Sequence, residues 1–244
     1  MNAVNALQRI QIRLPKFDKG AGNRMNEHAG IFDISPIISP RLAVFPGDTP
    51  LAREVLMDIR SGGSVTVSTL RATVHLGAHT DAPSHYAREG RCIEQQPLAL
   101  YWGACEVIVC APRKALKNGC VGREHLQVAT GWRPKYSRVL LATNSYLNPE
   151  QWQNDFSALE PALVDWFADN GVRLVGVDTP SVDPAESKSL PAHQRFYACD
   201  MAIIEGLRLS DVPAGAYELC ALPLALQGFD ASPVRAALRR LAKV

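Results

Sequence analysis

Long apolar runs are missing from this sequence. No stretch approaches the roughly 18 consecutive apolar residues of a membrane-crossing helix, so a soluble chain with no membrane partner is expected. An excess of one charge is missing too: the formal net charge of +2 is too weak to define a nucleic-acid or membrane surface. Cysteine is sparse and irregularly placed. Cys92, Cys105, Cys110, Cys120, Cys199 and Cys220 form no CxxC pair, and no secretory apolar segment with a cleavage site is present. They read as reduced, mostly buried thiols of a cytoplasmic protein.

What is present fits one globular domain. The chain has 244 residues, 47% of them apolar and 20% charged, which suits a single α/β domain with a sizeable core and argues against disorder. Residues 1–30 differ from the rest. Arg9, Arg13, Lys16, Lys19 and Arg24 face one acid, Asp18, before Met25, and Gly20-Ala-Gly22 makes a joint. A basic, flexible N-terminal extension is expected there, with a transit peptide or a natural start at Met25 as alternatives. The folded domain is expected over 31–244.

Along that domain, Pro46-Gly47 signals a tight turn that holds Phe45 at its lip, as a core residue or as a pocket wall. Residues 65–74 alternate and are rich in β-branched side chains, predicting a half-buried strand that delivers His75. Short apolar runs at 104–110, 138–143 and 172–178 predict strands. Between the last two, Ser157-Ala-Leu-Glu160 followed by Pro161 reads as a capping box opening a helix. Leu159, Leu163, Val164 and Phe167 form its apolar face, and Asn170-Gly171 its stop. The two flanking strands are then parallel. A terminal helix is expected from Ser232 through Lys243.

The chemistry concentrates in His75-Leu-Gly-Ala-His79-Thr-Asp81-Ala-Pro-Ser-His85. Three imidazoles and a carboxylate fall within eleven residues, and Gly77 and Pro83 supply the bends that let them converge. Nitrogen and carboxylate ligands of this kind suit zinc, manganese or iron. A lone histidine is usually packed or merely exposed; four of the six histidines clustering in two segments is not so easily dismissed. The second segment holds His193 and Glu205. Glu205 sits in the apolar run Met201–Gly206, where an ionised carboxylate needs a cation, either a metal or an arginine such as Arg195 or Arg173.

These residues resemble the bacterial kynurenine formamidases (arylformamidases) of the metal-dependent cyclase superfamily, whose motif His-x-Gly-(Thr/Ala)-His-x-Asp-x-Pro-x-His is matched from His75 to His85. The likeness extends to Phe-Pro-Gly-Asp-Thr-Pro, to Gly-Val-Asp-Thr-Pro-Ser-Val-Asp-Pro and to Asp230-Ala-Ser-Pro-Val-Arg235. It implies a compact α/β domain of the swivelling β/β/α type, assembled as a homodimer or higher homo-oligomer. It also implies two divalent ions, zinc or manganese. His75, His79 and Asp81 would bind one, and Asp81 would bridge to a second held by His193 and Glu205. His85 would remain as proton donor and acceptor, and Phe45 would contact the substrate at a position where the formamidases carry tryptophan.

The implied reaction is hydrolysis of an aryl formamide. A water shared by two such ions should lose a proton near neutral pH and attack a formyl or amide carbonyl, while His85 protonates the anilide nitrogen. N-formyl-kynurenine would give kynurenine and formate. An isatin hydrolase or another cyclase-superfamily amide or lactone hydrolase is the enzymatic alternative. A metal-binding protein without turnover is the alternative from another class, and a histidine retained beside the ligands counts against it.

Overall fold

The apolar runs at 104–110, 138–143 and 172–178 lie side by side at the centre of one sheet. The computed structural model describes residues 25–26 and 30–241, so nearly all of the basic N-terminal segment lies outside the described residues. In chain order the early strands are β1 (Met25–Asn26), β2 (Ile31–Asp33), β3 (Ala52–Met57), β4 (Val67–Arg71), β5 (His79–Asp81), β6 (Trp102–Val109) and β7 (Cys120–Val121). The later elements are β8 (Arg138–Ala142), β9 (Ala158–Leu159), α1 (Pro161–Asp169), β10 (Leu174–Val177), α2 (Pro191–Ala198), β11 (Ala202–Glu205), β12 (Gly215–Cys220), β13 (Ala231–Pro233) and β14 (Ala237–Arg240).

Ten strands form a curled mixed sheet in the order β1-β2-β14-β12-β6-β8-β10-β11-β5-β13. The central four, β6, β8, β10 and β11, are parallel, and the strands on either side of them join antiparallel. Because strand side chains alternate between faces, Leu140, Ala142, Leu174, Ala202 and Ile204 enter one core. Val139, Leu141, Val175, Val177 and Ile203 enter the other, beneath α1 and α2. A single α/β domain results, as the sequence reading expected. None of the six cysteines is paired. No helix among the described residues is long and apolar enough to cross a membrane.

Three local expectations are corrected. The capping box at Ser157 does not open a helix: Ala158–Leu159 pair with Cys120–Val121, and α1 starts at Pro161 with Glu160 as its N-cap. Leu163, Val164 and Phe167 are buried as expected, but Leu159 belongs to the strand. The stretch 65–74 does contain a strand, yet all of β4 is exposed, because it pairs only with β3 in a hairpin that stands off the main sheet. The terminal helix is absent: β13 and β14 occupy that segment. Leu238 is buried opposite Leu219 and Phe32, so strand pairing has overridden a composition that favours helix. Helix α2, which carries His193, was not foreseen.

Candidate metal centre

Strand register assembles the first half of the site. His79 and Asp81 are two residues apart on β5 and so share a face, the one that α2 covers, while Thr80 points the other way and donates to the Ile203 carbonyl at 2.6 Å. β5 pairs with β11 such that Glu205 stands directly opposite His79. The turn after Glu205 presses on the motif: Gly206 has φ +68°, and a Cβ there would meet the Gly77 carbonyl oxygen at 2.2 Å. That carbonyl also accepts a hydrogen bond from His79 Nδ1 at 2.9 Å.

Helix α2 brings the second half. The Asp183 carboxylate accepts from the backbone N–H of Ala192 and of His193, both at 3.0 Å, satisfying donors at the helix N-terminus. It also accepts from His193 Nδ1 at 2.7 Å. One acid therefore caps the helix and orients the imidazole it carries. Glu205 accepts from the Val182 N–H at 2.8 Å. Arg195 and Arg173 bind Asp165 and Asp200 instead, so neither is the partner of Glu205.

Both buried imidazoles are then left with a bare Nε2 facing carboxylates. A carbonyl or carboxylate can only accept, so Nδ1 of His79 and of His193 must carry the proton. His79 Nε2 lies 3.5 Å from Asp81 Oδ1 and 3.3 Å from Glu205 Oε2. His193 Nε2 lies 3.4 Å from Asp81 Oδ2 and 3.6 Å from Glu205 Oε1. His75 closes the set, with Nδ1 3.0 Å from Asp81 Oδ1. Neither oxygen of the buried Asp81 has a hydrogen-bond partner.

This donor set fits a divalent ion. A tetrahedron with metal–ligand bonds of about 2.1 Å has edges of about 3.4 Å, and the contacts above bracket that length. The ligand atoms form the triads His75-His79-Asp81 and Asp81-His193-Glu205, which share Asp81. Without a metal, protons fill the gap. Burial opposes a charge on His193, but the hydrogen bond to Asp183 and the nearby Asp81 and Glu205 carboxylates outweigh it and push its pKa up to about 10. His75 is raised to about 9 by Asp81 and Asp230 against the same burial penalty. Burial would raise the Asp81 carboxyl, yet the surrounding imidazoles hold it well below the usual range.

A cavity of about 580 Å³ opens onto this cluster. One wall is aromatic. Phe45 and Trp152 meet edge to face with centroids 5.2 Å apart, and Tyr146 lies 6.3 Å from Trp152. His85 stands at the mouth, its ring 4.2 Å from that of His75 and its Nδ1 3.4 Å from Asp230 Oδ2. Asp178, which also borders the cavity, is a clasp rather than a ligand: it accepts from Thr143 N–H at 3.0 Å, Thr143 Oγ1 at 2.6 Å and Asn144 N–H at 2.8 Å, tying the ends of β8 and β10.

Residues 32–184 match the Cyclase family, and the chain belongs to it. Among solved structures it is similar to a predicted metal-dependent hydrolase from Bacillus stearothermophilus, with 27% identity and TM-score 0.66 over 85% of this chain and 97% of that one. A potential metal-dependent hydrolase with cyclase activity matches with 26% identity and TM-score 0.67 over 85% and 96%. Isatin hydrolase A from Ralstonia solanacearum matches with TM-score 0.71 over 85% and 90%. At 20% identity that last likeness is one of fold.

Every sequence-predicted site residue, His75, His79, Asp81, His85, His193, Glu205 and Phe45, borders this one cavity. Asp183, Asp230 and Trp152 were not singled out. Asp183 and Asp230 lie in segments quoted for their likeness to the formamidases, but their partners are 10 and 155 residues away, beyond what spacing can reveal.

Proposed function

We propose that this chain is a metal-dependent hydrolase acting on an aryl formamide, N-formyl-kynurenine first, to release kynurenine and formate. The observation that carries the reading is a buried carboxylate, Asp81, with both oxygens unpaired among three imidazoles. A buried carboxylate so placed needs positive charge around it, which protons on His75 and His193 supply in the metal-free protein and a divalent ion would supply in their place. His75, His79 and Asp81 would hold one zinc or manganese ion, and Asp81, His193 and Glu205 a second. When bound, such ions supply Lewis acidity, lowering the pKa of water and polarising a carbonyl.

The protein's own groups do the rest. Asp183 and Gly77 accept from Nδ1 of His193 and of His79, and so turn Nε2 of each ring toward the carboxylates as the nitrogen that would ligate. Phe45, Trp152 and Tyr146 offer ring faces and edges to an arene. His85, half open to water, delivers a proton to the aniline nitrogen as the C–N bond breaks and takes it back from water. Isatin ring opening is a second reading, supported by the fold likeness to an isatin hydrolase.

The test is side-by-side turnover of N-formyl-kynurenine and isatin by metal-loaded protein, with elemental analysis of the same sample. Active protein without divalent metal would end the metallohydrolase reading, and preference for isatin would move the substrate. A homodimer is part of the proposal. The β3–β4 hairpin exposes Leu56, Met57, Ile59, Val67 and Leu70 between two segments that wall the cavity, and a second copy is the covering surface proposed. Light scattering that finds a monomer at micromolar concentration would remove it.

A further inference from the structure

Asp230 immediately precedes β13, whose first residue, Ala231, pairs with Asp81. Its backbone carbonyl accepts the Ala82 N–H at 2.8 Å, so the sheet fixes its position beside the motif. Its side chain reaches back over the cavity mouth. Oδ2 lies 3.0 Å from His75 Nε2, in a hydrogen bond, and 3.4 Å from His85 Nδ1. A carboxylate oxygen has two lone pairs, so the oxygen that bonds His75 keeps one free toward His85, with which it makes an ion-pair contact.

We propose that Asp230 is a positioning residue that anchors two imidazoles at once, an inference that rests on the metallohydrolase reading above. By taking the Nε2–H of His75 it leaves Nδ1 of His75 as the nitrogen facing Asp81, ready to ligate. By facing His85 Nδ1 at 3.4 Å it favours the proton on that nitrogen and leaves Nε2 as the nitrogen that exchanges a proton with substrate. The same oxygen thereby couples ligand geometry to the proton shuttle. Carboxylates that orient metal-binding imidazoles in this way raise metal affinity by about 10- to 100-fold.

The experiment compares the full-length protein with Asp230→Ala and Asp230→Asn. Zinc affinity is measured by competition with a chromophoric chelator, kcat and KM on N-formyl-kynurenine, and imidazole tautomers by long-range ¹⁵N–¹H spectra of the zinc-loaded, ¹⁵N-histidine-labelled protein. The Asp230 side chain is 47% exposed, so both variants should unfold at nearly the same temperature as the unaltered protein. Asp230→Ala should weaken zinc about 10-fold or more. It should also lower kcat with KM held within about threefold, and release His85 from a single tautomer. Asp230→Asn keeps an accepting oxygen and should recover part of each.

Unchanged zinc affinity and unchanged tautomers in Asp230→Ala would overturn the inference alone. A loss that follows only a lowered melting temperature would do the same, because it would mark a structural role. Failure of the unaltered protein to bind zinc would end the metallohydrolase reading and this inference with it. Turnover of another substrate would leave the zinc and tautomer readouts to decide.

Discussion

His79, Asp81, His193 and Glu205 are at most 4% exposed, whereas the side chains of His85 and Asp230 are 35% and 47% exposed. The buried set is built by regular structure: the β5–β11 register places three of its members, and a capped helix lowers the fourth onto them. The open set is held from 3₁₀ turns and strand ends, by single contacts of 3.0 to 3.4 Å. Rigid, dry surroundings suit the role proposed for this set, which would hold a doubly charged ion in one geometry. Water access suits the role proposed for His85, which would exchange protons with solvent on each turnover.

The sharpest way to break that contrast is Asp81→Ala. Its two oxygens belong to both triads, so its removal should abolish detectable binding of both ions, and with them turnover. Elemental analysis after purification and dialysis checks this, and retention of two ions per chain would sink the shared-ligand assignment. His85→Ala attacks the open half only. It should keep the metal and the melting temperature, yet lose about 10² to 10⁴ in rate, the contribution of a general acid–base group. Unchanged turnover with intact metal would show that the proton passes elsewhere.

The two halves were not equally visible in the sequence. His75, His79, Asp81 and His85 stand out because they are local, and Glu205 because an acid in an apolar run is conspicuous. The unit β8-α1-β10 was readable from its apolar runs and the Asn170-Gly171 stop, where Gly171 takes φ +79°. Asp183 and Asp230 were not, because their roles exist only once a helix end and a sheet edge have been brought to the imidazoles. The C-terminal segment failed for the same reason: Ala236, Ala237 and Leu238 favour helix locally, but Leu238 fills a core that only pairing with β2 and β12 supplies.

Protonation sharpens the comparison further, because in the metal-free protein the cluster is held together by protons on His75 and His193. Both have folded pKa values, about 9 and about 10, raised above the ordinary imidazole value of 6.5. The stability they contribute is fully present below about pH 6.5 and is lost as pH rises through 9 to 10. Metal-free protein should therefore melt at falling temperature across that window. Each zinc ion competes with one of these protons, so the affinity of each site should rise by about 10-fold between pH 6 and pH 7, with proton release on binding. Chelator competition at several pH values tests this, and a pH-independent affinity would show that these imidazoles do not ligate.

The smallest expected effect belongs to the aromatic wall, and it bears on substrate rather than on metal. Phe45 is 46% exposed and packs edge to face against Trp152 at 5.2 Å, so an indole already stands beside the position where the formamidases place theirs. Ring contact with an aryl formamide tolerates phenylalanine, and only an N–H donor is missing, worth about 0.5 to 1.5 kcal/mol or several-fold in binding. Trp152 does not replace that donor, because its Nε1 is committed to Asn154 Oδ1 at 2.5 Å. Phe45→Trp should then raise kcat/KM on N-formyl-kynurenine several-fold through KM, leaving metal content unchanged. Trp152→Phe should lower it by a similar factor through loss of ring area. An unaltered kcat/KM in both variants, in protein that turns the substrate over, would place the arene on another wall of the cavity.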